Sequence, residues 1–253
     1  MIQIDLKGKN VLVTGGARGI GKGISKIFAK AGARVAINYN ASAEKANRLV
    51  KEIVDNSGEA IAIKADIGRL YEVDRMVNQV IKKWGCLDIL VNNAGITTVD
   101  SIDTLTPNVW DEIMKINIYG TYNCSHCVTS HMLELGEGVI INISSTGAIT
   151  GGGGGPHYAA SKAAMIGFTR NLSKDLGPRG IRVNAILPTI IESDFLLERY
   201  PNKDERDELV KQIPVGRIGL PEDVGYLAAF MASDLGSYMT GEVVTLDGGR
   251  TYK

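Results

Sequence analysis

The sequence predicts an α/β fold, a single doubly wound parallel sheet of about seven strands with helices on both faces. Three observations predict it. Short Val- and Ile-rich runs alternate with helix-length segments from end to end. The runs are apolar throughout rather than alternating, as strands covered on both faces must be. The Gly-rich turn, Asp66, Asn92 to Gly95, Ser145 and Pro188 each follow such a run. They therefore gather at the carboxyl edge of the sheet, where open α/β sheets bind ligands.

The elements follow in order. Residues 10–13, Asn-Val-Leu-Val, form the first strand, and a helix over 22–31 follows the Gly-rich turn. Residues 34–38 form the second strand, and an Ala-, Glu- and Lys-rich helix covers about 42–57. The third strand, 60–65, leads to Asp66 and Ile67, with a helix near 70–84. The fourth strand, 87–91, ends in Asn92-Asn93-Ala94-Gly95. Thr106-Pro107 opens a long helix to about 134, with the proline suited to its first turn. The fifth strand, 139–143, ends at Ser144-Ser145. Five consecutive glycines, 151–155, read as a flexible loop that leaves the pocket open on that side. A helix over about 157–176 carries Tyr158 and Lys162. The sixth strand, 181–187, stops at Pro188. Residues 190–215 read as a substrate lid with Phe195, Leu196 and Leu197 as its apolar face. A helix after Pro221 and a strand over 242–246 complete the chain. With no linker or repeat, residues 1–253 read as one dinucleotide-binding and catalytic domain.

Composition narrows the function classes. Lys and Arg equal Asp and Glu at 28 each, so no charge excess points to nucleic acid or to a membrane surface. No apolar stretch approaches a bilayer span, and the N-terminus lacks the plan of a signal peptide. Three cysteines, Cys86, Cys124 and Cys127, cannot all pair within one chain, which fits a cytoplasmic protein. Cys124-x-x-Cys127 with His131 could mark metal or redox chemistry. Its place deep in a helix, with no second pair downstream, makes buried structural thiols the better reading and leaves no metal site.

Thr14-Gly15-Gly16-Ala17-Arg18-Gly19-Ile20-Gly21 lies between the first strand and a helix. Glycines let the backbone approach a pyrophosphate, and the helix start offers free N–H groups and a positive dipole end. A bare βα turn would need neither, so the order points to a Rossmann-type nucleotide cradle. Its Gly15-x-x-x-Gly19-x-Gly21 spacing differs from the usual G-x-G-x-x-G. The second strand ends in Asn38, where NAD enzymes commonly place an acid. A carboxylate there would repel a 2′-phosphate, and the Arg18 fork can reach one. NADP is therefore favoured, with NAD possible.

Tyr158 and Lys162 stand four residues apart, on one helical face, with Ser145 thirteen residues upstream. A nearby ammonium favours phenolate, and this spacing predicts that Lys162 acidifies Tyr158. The Ser145 hydroxyl would orient a carbonyl beside it.

Together the glycine turn, Asn92-Asn93-Ala94-Gly95, Ser145 and Tyr158-x-x-x-Lys162 resemble the short-chain dehydrogenase/reductase family in its compact branch, over nearly the whole chain. The resemblance implies hydride transfer between a nicotinamide cofactor and a small-molecule ketone or secondary alcohol, with Asn117, Ser145, Tyr158 and Lys162 catalytic. It implies that Asp66 meets the adenine, and that Ile67, Asn92, Ala94, Gly95, Pro188, Ile191 and Ser193 join Gly15, Arg18, Gly19, Ile20, Gly21 and Asn38 around the cofactor, with Tyr158 and Lys162 completing that shell. It also implies a homotetramer. Within the family the chain is similar to 3-oxoacyl-carrier-protein reductases and to sugar or polyol dehydrogenases. The first would need basic residues for an acidic carrier; Arg179 is one candidate, but residues 134–138 hold no Lys or Arg. A dinucleotide sensor without chemistry is a distant alternative, opposed by the full catalytic set. Pro188-Thr189 replaces the frequent Pro-Gly of the family, which predicts an altered backbone there.

Overall fold

The computed structural model describes residues 3–252. Seven parallel strands form one sheet in the order β3-β2-β1-β4-β5-β6-β7. They are β1 (Asn10–Val13), β2 (Arg34–Tyr39), β3 (Glu59–Lys64), β4 (Ile89–Asn92), β5 (Gly138–Ile143), β6 (Ile181–Pro188) and β7 (Val243–Leu246). Chain order reverses between β1 and β4, and the crevice beyond their carboxyl ends is the switch point where such folds take ligands.

The period of two along each strand builds two cores. Val11 and Val13 face one way, against α1 (Gly19–Lys30), α2 (Ala43–Asp55) and α10 (Pro221–Ala232). Leu12 faces the other, against α3 (Leu70–Trp84), α5 (Gly120–Leu135) and α7 (Pro156–Leu176). Both faces are dry, which explains strands that are apolar without alternation.

The long helix expected to run to about 134 is broken. After α4 (Pro107–Met114), capped by the Thr106 hydroxyl accepting from Val109 N–H, the chain makes a π-helical stretch, Lys115–Tyr119, before α5. Gly120 N–H donates to Lys115 O, one residue farther than in an α-helix. The Thr121 hydroxyl donates to Asn117 O at 2.8 Å, occupying a carbonyl in that stretch.

Three short helices also emerge: α6 (Gly147–Thr150), and α8 (Asp194–Arg199) and α9 (Lys203–Lys211) in the lid segment. Cys124 lies in the core and its thiol is pushed far up by burial, while Cys127 is pushed up to about 11. His131 accepts from Leu87 N–H, which commits its Nε2 to the chain leading into β4.

Candidate active site

The turn after β1 is stitched to the turn after β4. The Thr14 hydroxyl accepts from Asn93 and Ala94 N–H at 2.9 and 3.0 Å, and the Asn93 amide donates back to Thr14 O and Gly15 O. Gly15 sits at φ 60°, where a side chain would be strained. A Cβ on Gly21 would stand 2.3 Å from Gly15 O and 2.5 Å from Asn93 Nδ2, so only glycine lets α1 start this close to the turn. The first backbone bond of α1 runs from Lys22 N–H to Arg18 O, which leaves the N–H groups of Gly19, Ile20 and Gly21 at the helix end. A flat glycine floor below free N–H groups and a positive dipole end fits a pyrophosphate.

Asn38 and Asn92, both expected near the cofactor, turn their side chains into the protein. The Asn38 side chain is buried, with Oδ1 accepting from Gly15 N–H at 3.2 Å and Nδ2 donating to Ala65 O at 3.0 Å. It holds the turn in place. The Asn92 amide points into the core and donates to Asn142 Oδ1 and Ser125 Oγ. Asn93, just past the strand end, turns the other way onto the glycine turn, and sequence reasoning did not single it out. The alternation itself was the available signal.

At the adenosine end, Asp66 is half-buried, with Oδ1 accepting from Gly68 N–H and Oδ2 3.3 Å from Arg69 Nε. Ile67 is buried against Gly120 in α5. Arg18 is exposed at the head of α1, and its charge, after that of Lys45, helps hold the Asp194 carboxyl below the usual range. Lys45 and Asp194 form an ion pair at 2.6 Å between α2 and α8.

Ser145, Tyr158, Lys162 and Asn117 converge. Tyr158 lies in the first turn of α7, half-buried, with Ser145 as the hydrogen-bond partner of its phenol. Lys162, one turn on, is only 4 % exposed and its Nζ lies 5.8 Å from the centre of the Tyr158 ring. A Cβ built on Gly95 would stand 3.2 Å from Asn117 Oδ1 and 3.4 Å from Lys162 Nζ, so these two groups flank the turn after β4 from one side. Asn117 is fully buried; Oδ1 accepts from Ile96 N–H at 2.9 Å, and Nδ2 donates to Ile96 O and Ser161 Oγ, each at 3.0 Å. The Ser144 hydroxyl points away and donates to Lys162 O.

The expected acidification of Tyr158 is not what this geometry gives. Burial pushes the phenol above its ordinary value, and the Ser145 hydrogen bond pulls the other way without overcoming it. Lys162 is itself pushed down to about 8 by burial. Its Nζ reaches past the ring to donate to Ile143 O at 2.9 Å and to meet Met165 Sδ. Helical spacing set the shared face correctly but not the reach of a four-carbon stem.

The last three glycines of the run are a packing device rather than an open side. Cβ atoms there would lie 2.5 Å from Tyr158 Cε1 at Gly153, 2.4 Å from Thr97 Oγ1 at Gly154 and 2.5 Å from Asp100 O at Gly155. Asp100 N–H donates to Gly154 O, and buried His157 meets the Thr98 hydroxyl at 2.8 Å. On the opposite wall Pro188 O accepts from Thr146 N–H. Thr189 keeps a negative φ, so the altered backbone expected from losing glycine is an ordinary one. Ile191 is buried against Gly219, and the Ser193 hydroxyl caps α8 by accepting from Leu196 N–H, with its Cβ facing Gly19.

Comparison with known proteins gives four findings. The family described as enoyl-(acyl carrier protein) reductase matches residues 15–251. The 3-oxoacyl-(acyl-carrier-protein) reductase FabG of Staphylococcus epidermidis is 39% identical over 241 residues, 95% of this chain and 98% of that protein. The protein of the same name from Thermotoga maritima is 39% identical over 244 residues, covering 96% and 98%. Among solved structures, a gluconate 5-dehydrogenase from Burkholderia cenocepacia, in complex with NADP and tartrate, superposes with a TM-score of 0.92 at 31% identity, covering 99% of this chain and 98% of that one.

Proposed function

The chain belongs to the short-chain dehydrogenase/reductase family, and from that premise we propose that it interconverts a ketone and a secondary alcohol with NADP(H), using Tyr158 as the general acid and base. The observation that carries the reading is the meeting of four groups at one sheet edge: a phenol bonded to Ser145, and a buried ammonium beside it that shares the Gly95 turn with Asn117. When bound, the nicotinamide supplies or accepts the hydride. Tyr158 gives its proton to the ketone oxygen, and Ser145 fixes the orientation of that oxygen. Lys162 carries a positive charge under the ring that offsets the phenolate left behind. Asn117 clamps Ile96 through both main-chain groups, which fixes the Gly95 turn against Lys162.

NADP(H) rather than NAD(H) is supported by Arg18, by the lack of an acid at the end of β2 and by a structural relative in complex with NADP. The same proposal takes residues 1–253 as one domain with a lid over about 190–215, working as a homotetramer in the cytoplasm. Exposed Tyr119 and Tyr122 supply apolar surface for assembly, and three free cysteines fit a reducing compartment. No helix among the described residues is long and apolar enough to cross a membrane.

Relatives named as 3-oxoacyl-carrier-protein reductases make an acyl thioester the first substrate to try. Arg179 does not serve a docked carrier at the site, because it bonds Asp175 at 2.9 Å and precedes β6, at the edge opposite Ser145. The test is a spectrophotometric screen of acetoacetyl thioesters, sugars, polyols and simple ketones with both nucleotides. Oxidation of NADPH by at least one ketone is expected, and silence across the panel with tight NADPH binding would favour a sensor. In the same assay Arg18→Ala should raise KM for NADPH about tenfold and leave KM for NADH nearly unchanged, since only NADPH offers the second phosphate. Equal losses would remove Arg18 from that role.

A further inference from the structure

We propose that Arg250 is an anion anchor for the substrate and that the enzyme acts on ketones bearing a carboxylate remote from the carbonyl. The inference rests on the oxidoreductase reading and names the substrate class of that same site.

Arg250 lies where three parts of the crevice wall meet. Its Nη1 donates to the Thr189 hydroxyl at 3.4 Å, at the end of β6, and its Nη2 to Gln212 Oε1 at 3.0 Å, just past α9. The lid root is fastened to the same place, because Val215 N–H donates to Gly248 O at 3.1 Å. β6 and β7 end side by side, with Thr189 N–H donating to Leu246 O. Pro188, the residue before Thr189, accepts from Thr146 N–H at 2.9 Å, and Thr146 adjoins Ser145. The guanidinium is thus tied through Thr189 to the strand end that bonds to Thr146, the residue after Ser145.

Its charge is unanswered. Both partners are neutral oxygens, the Thr189 contact is at the outer limit for a hydrogen bond, and Nε is shielded with no partner. No Asp or Glu among the described residues pairs with it. The adjacent acid, Asp247, spends its oxygens on the N–H groups of Gly249 and Thr251. Arg250 is only partly buried, and beyond the N–H groups given to Thr189 and Gln212 its Nη1 and Nη2 each keep one more, the pair that an oxyanion takes in two parallel bonds. One positive charge among neutral neighbours matches a carboxylate better than a phosphate dianion. The Thr189 hydroxyl, an acceptor toward Arg250, keeps its own proton to donate to the same ligand.

The test pairs acetoacetate and levulinate with their methyl esters. In the wild type kcat/KM with NADPH should favour the acids. In R250Q the acid-to-ester ratio should fall about tenfold to hundredfold, the range expected when charge-assisted hydrogen bonds are lost, with partial recovery in R250K. Calorimetric titration of glutarate into the NADP-loaded protein gives a second readout: binding in the wild type, at least tenfold weaker in R250Q. A ratio and a glutarate affinity both unchanged in R250Q would overturn the proposal. So would equal loss on acid and ester together with subunit dissociation on a sizing column, which would make Arg250 an assembly residue. Turnover of no ketone by the wild type would sink the oxidoreductase reading alone, leaving the glutarate titration to decide for or against the anion site.

Discussion

Tyr158→Phe should lower kcat for ketone reduction by about a thousandfold or more, within the range for loss of a positioned general acid, and leave the NADPH dissociation constant within about threefold. The asymmetry follows from the geometry. The substitution deletes one hydroxyl, whose partner is Ser145. The ring stays, so its packing against Gly153 and its approach to Lys162 are kept. The glycine cradle that would hold the pyrophosphate is built from Thr14, Gly15, Asn93 and Ala94, and none of its bonds involves the Tyr158 hydroxyl. Stopped-flow measurement of turnover beside fluorescence titration of NADPH separates the two effects. Near-normal turnover would dismiss Tyr158 as the acid, and a joint collapse of turnover and affinity would make it a structural residue.

The direction of the Tyr158 shift refines this role. With the phenol pushed above its ordinary value, the group is protonated throughout the neutral range and is ready to donate, which suits reduction. For alcohol oxidation it must first lose that proton. A unit charge at roughly 6 Å in an effective dielectric near 20 is worth about 3 kcal/mol, and Lys162 can offer that to the phenolate only while it is itself charged. Because Lys162 is pushed down to about 8, this help fades as the pH rises past that value.

How much of this was legible beforehand differs by residue. The strands were legible because a sheet covered on both faces needs uninterrupted apolar runs, and Val11 to Val13 can be nothing else. The glycine turn was legible as a tight link from strand to helix because both flanking elements could be read beside it, and Gly15 and Gly21 are where a side chain would not fit. The π stretch was not, since its contacts are tertiary: Asn117 grips Ile96, twenty-one positions away, and no local periodicity records that. The five glycines misled for a related reason. Composition alone reads them as freedom, whereas at Gly153, Gly154 and Gly155 the residues Tyr158, Thr97 and Asp100 occupy the space the missing side chains leave. Arg250 left no mark at all, because an exposed and a half-buried arginine look the same in a sequence.

Lys162→Met should abolish most turnover and yet yield a more stable protein at neutral pH. Lys162 is buried, and its value falls from 10.5 to about 8 for that reason alone. Such a drop means that holding the protonated form in the folded state costs about 3 kcal/mol. Methionine is close in shape, meets Met165 equally well and carries no charge. Against the gain stands the lost bond to Ile143 O, worth about 1 kcal/mol. A net gain of about 2 kcal/mol is therefore expected. The unfolded chain binds the extra proton between pH 8 and 10.5, so the wild type recovers stability as pH rises through that window. The advantage of the variant is thus full below pH 8, shrinks as the folded lysine and then the unfolded one give up their protons, and is gone by about pH 10, where the lost bond to Ile143 O outweighs what is left of it. Urea unfolding of both proteins at pH 7 and at pH 10 measures the difference directly. A variant less stable than wild type at pH 7, or an advantage that does not shrink with pH, would mean that Lys162 is not a desolvated charge kept in the core at the expense of stability.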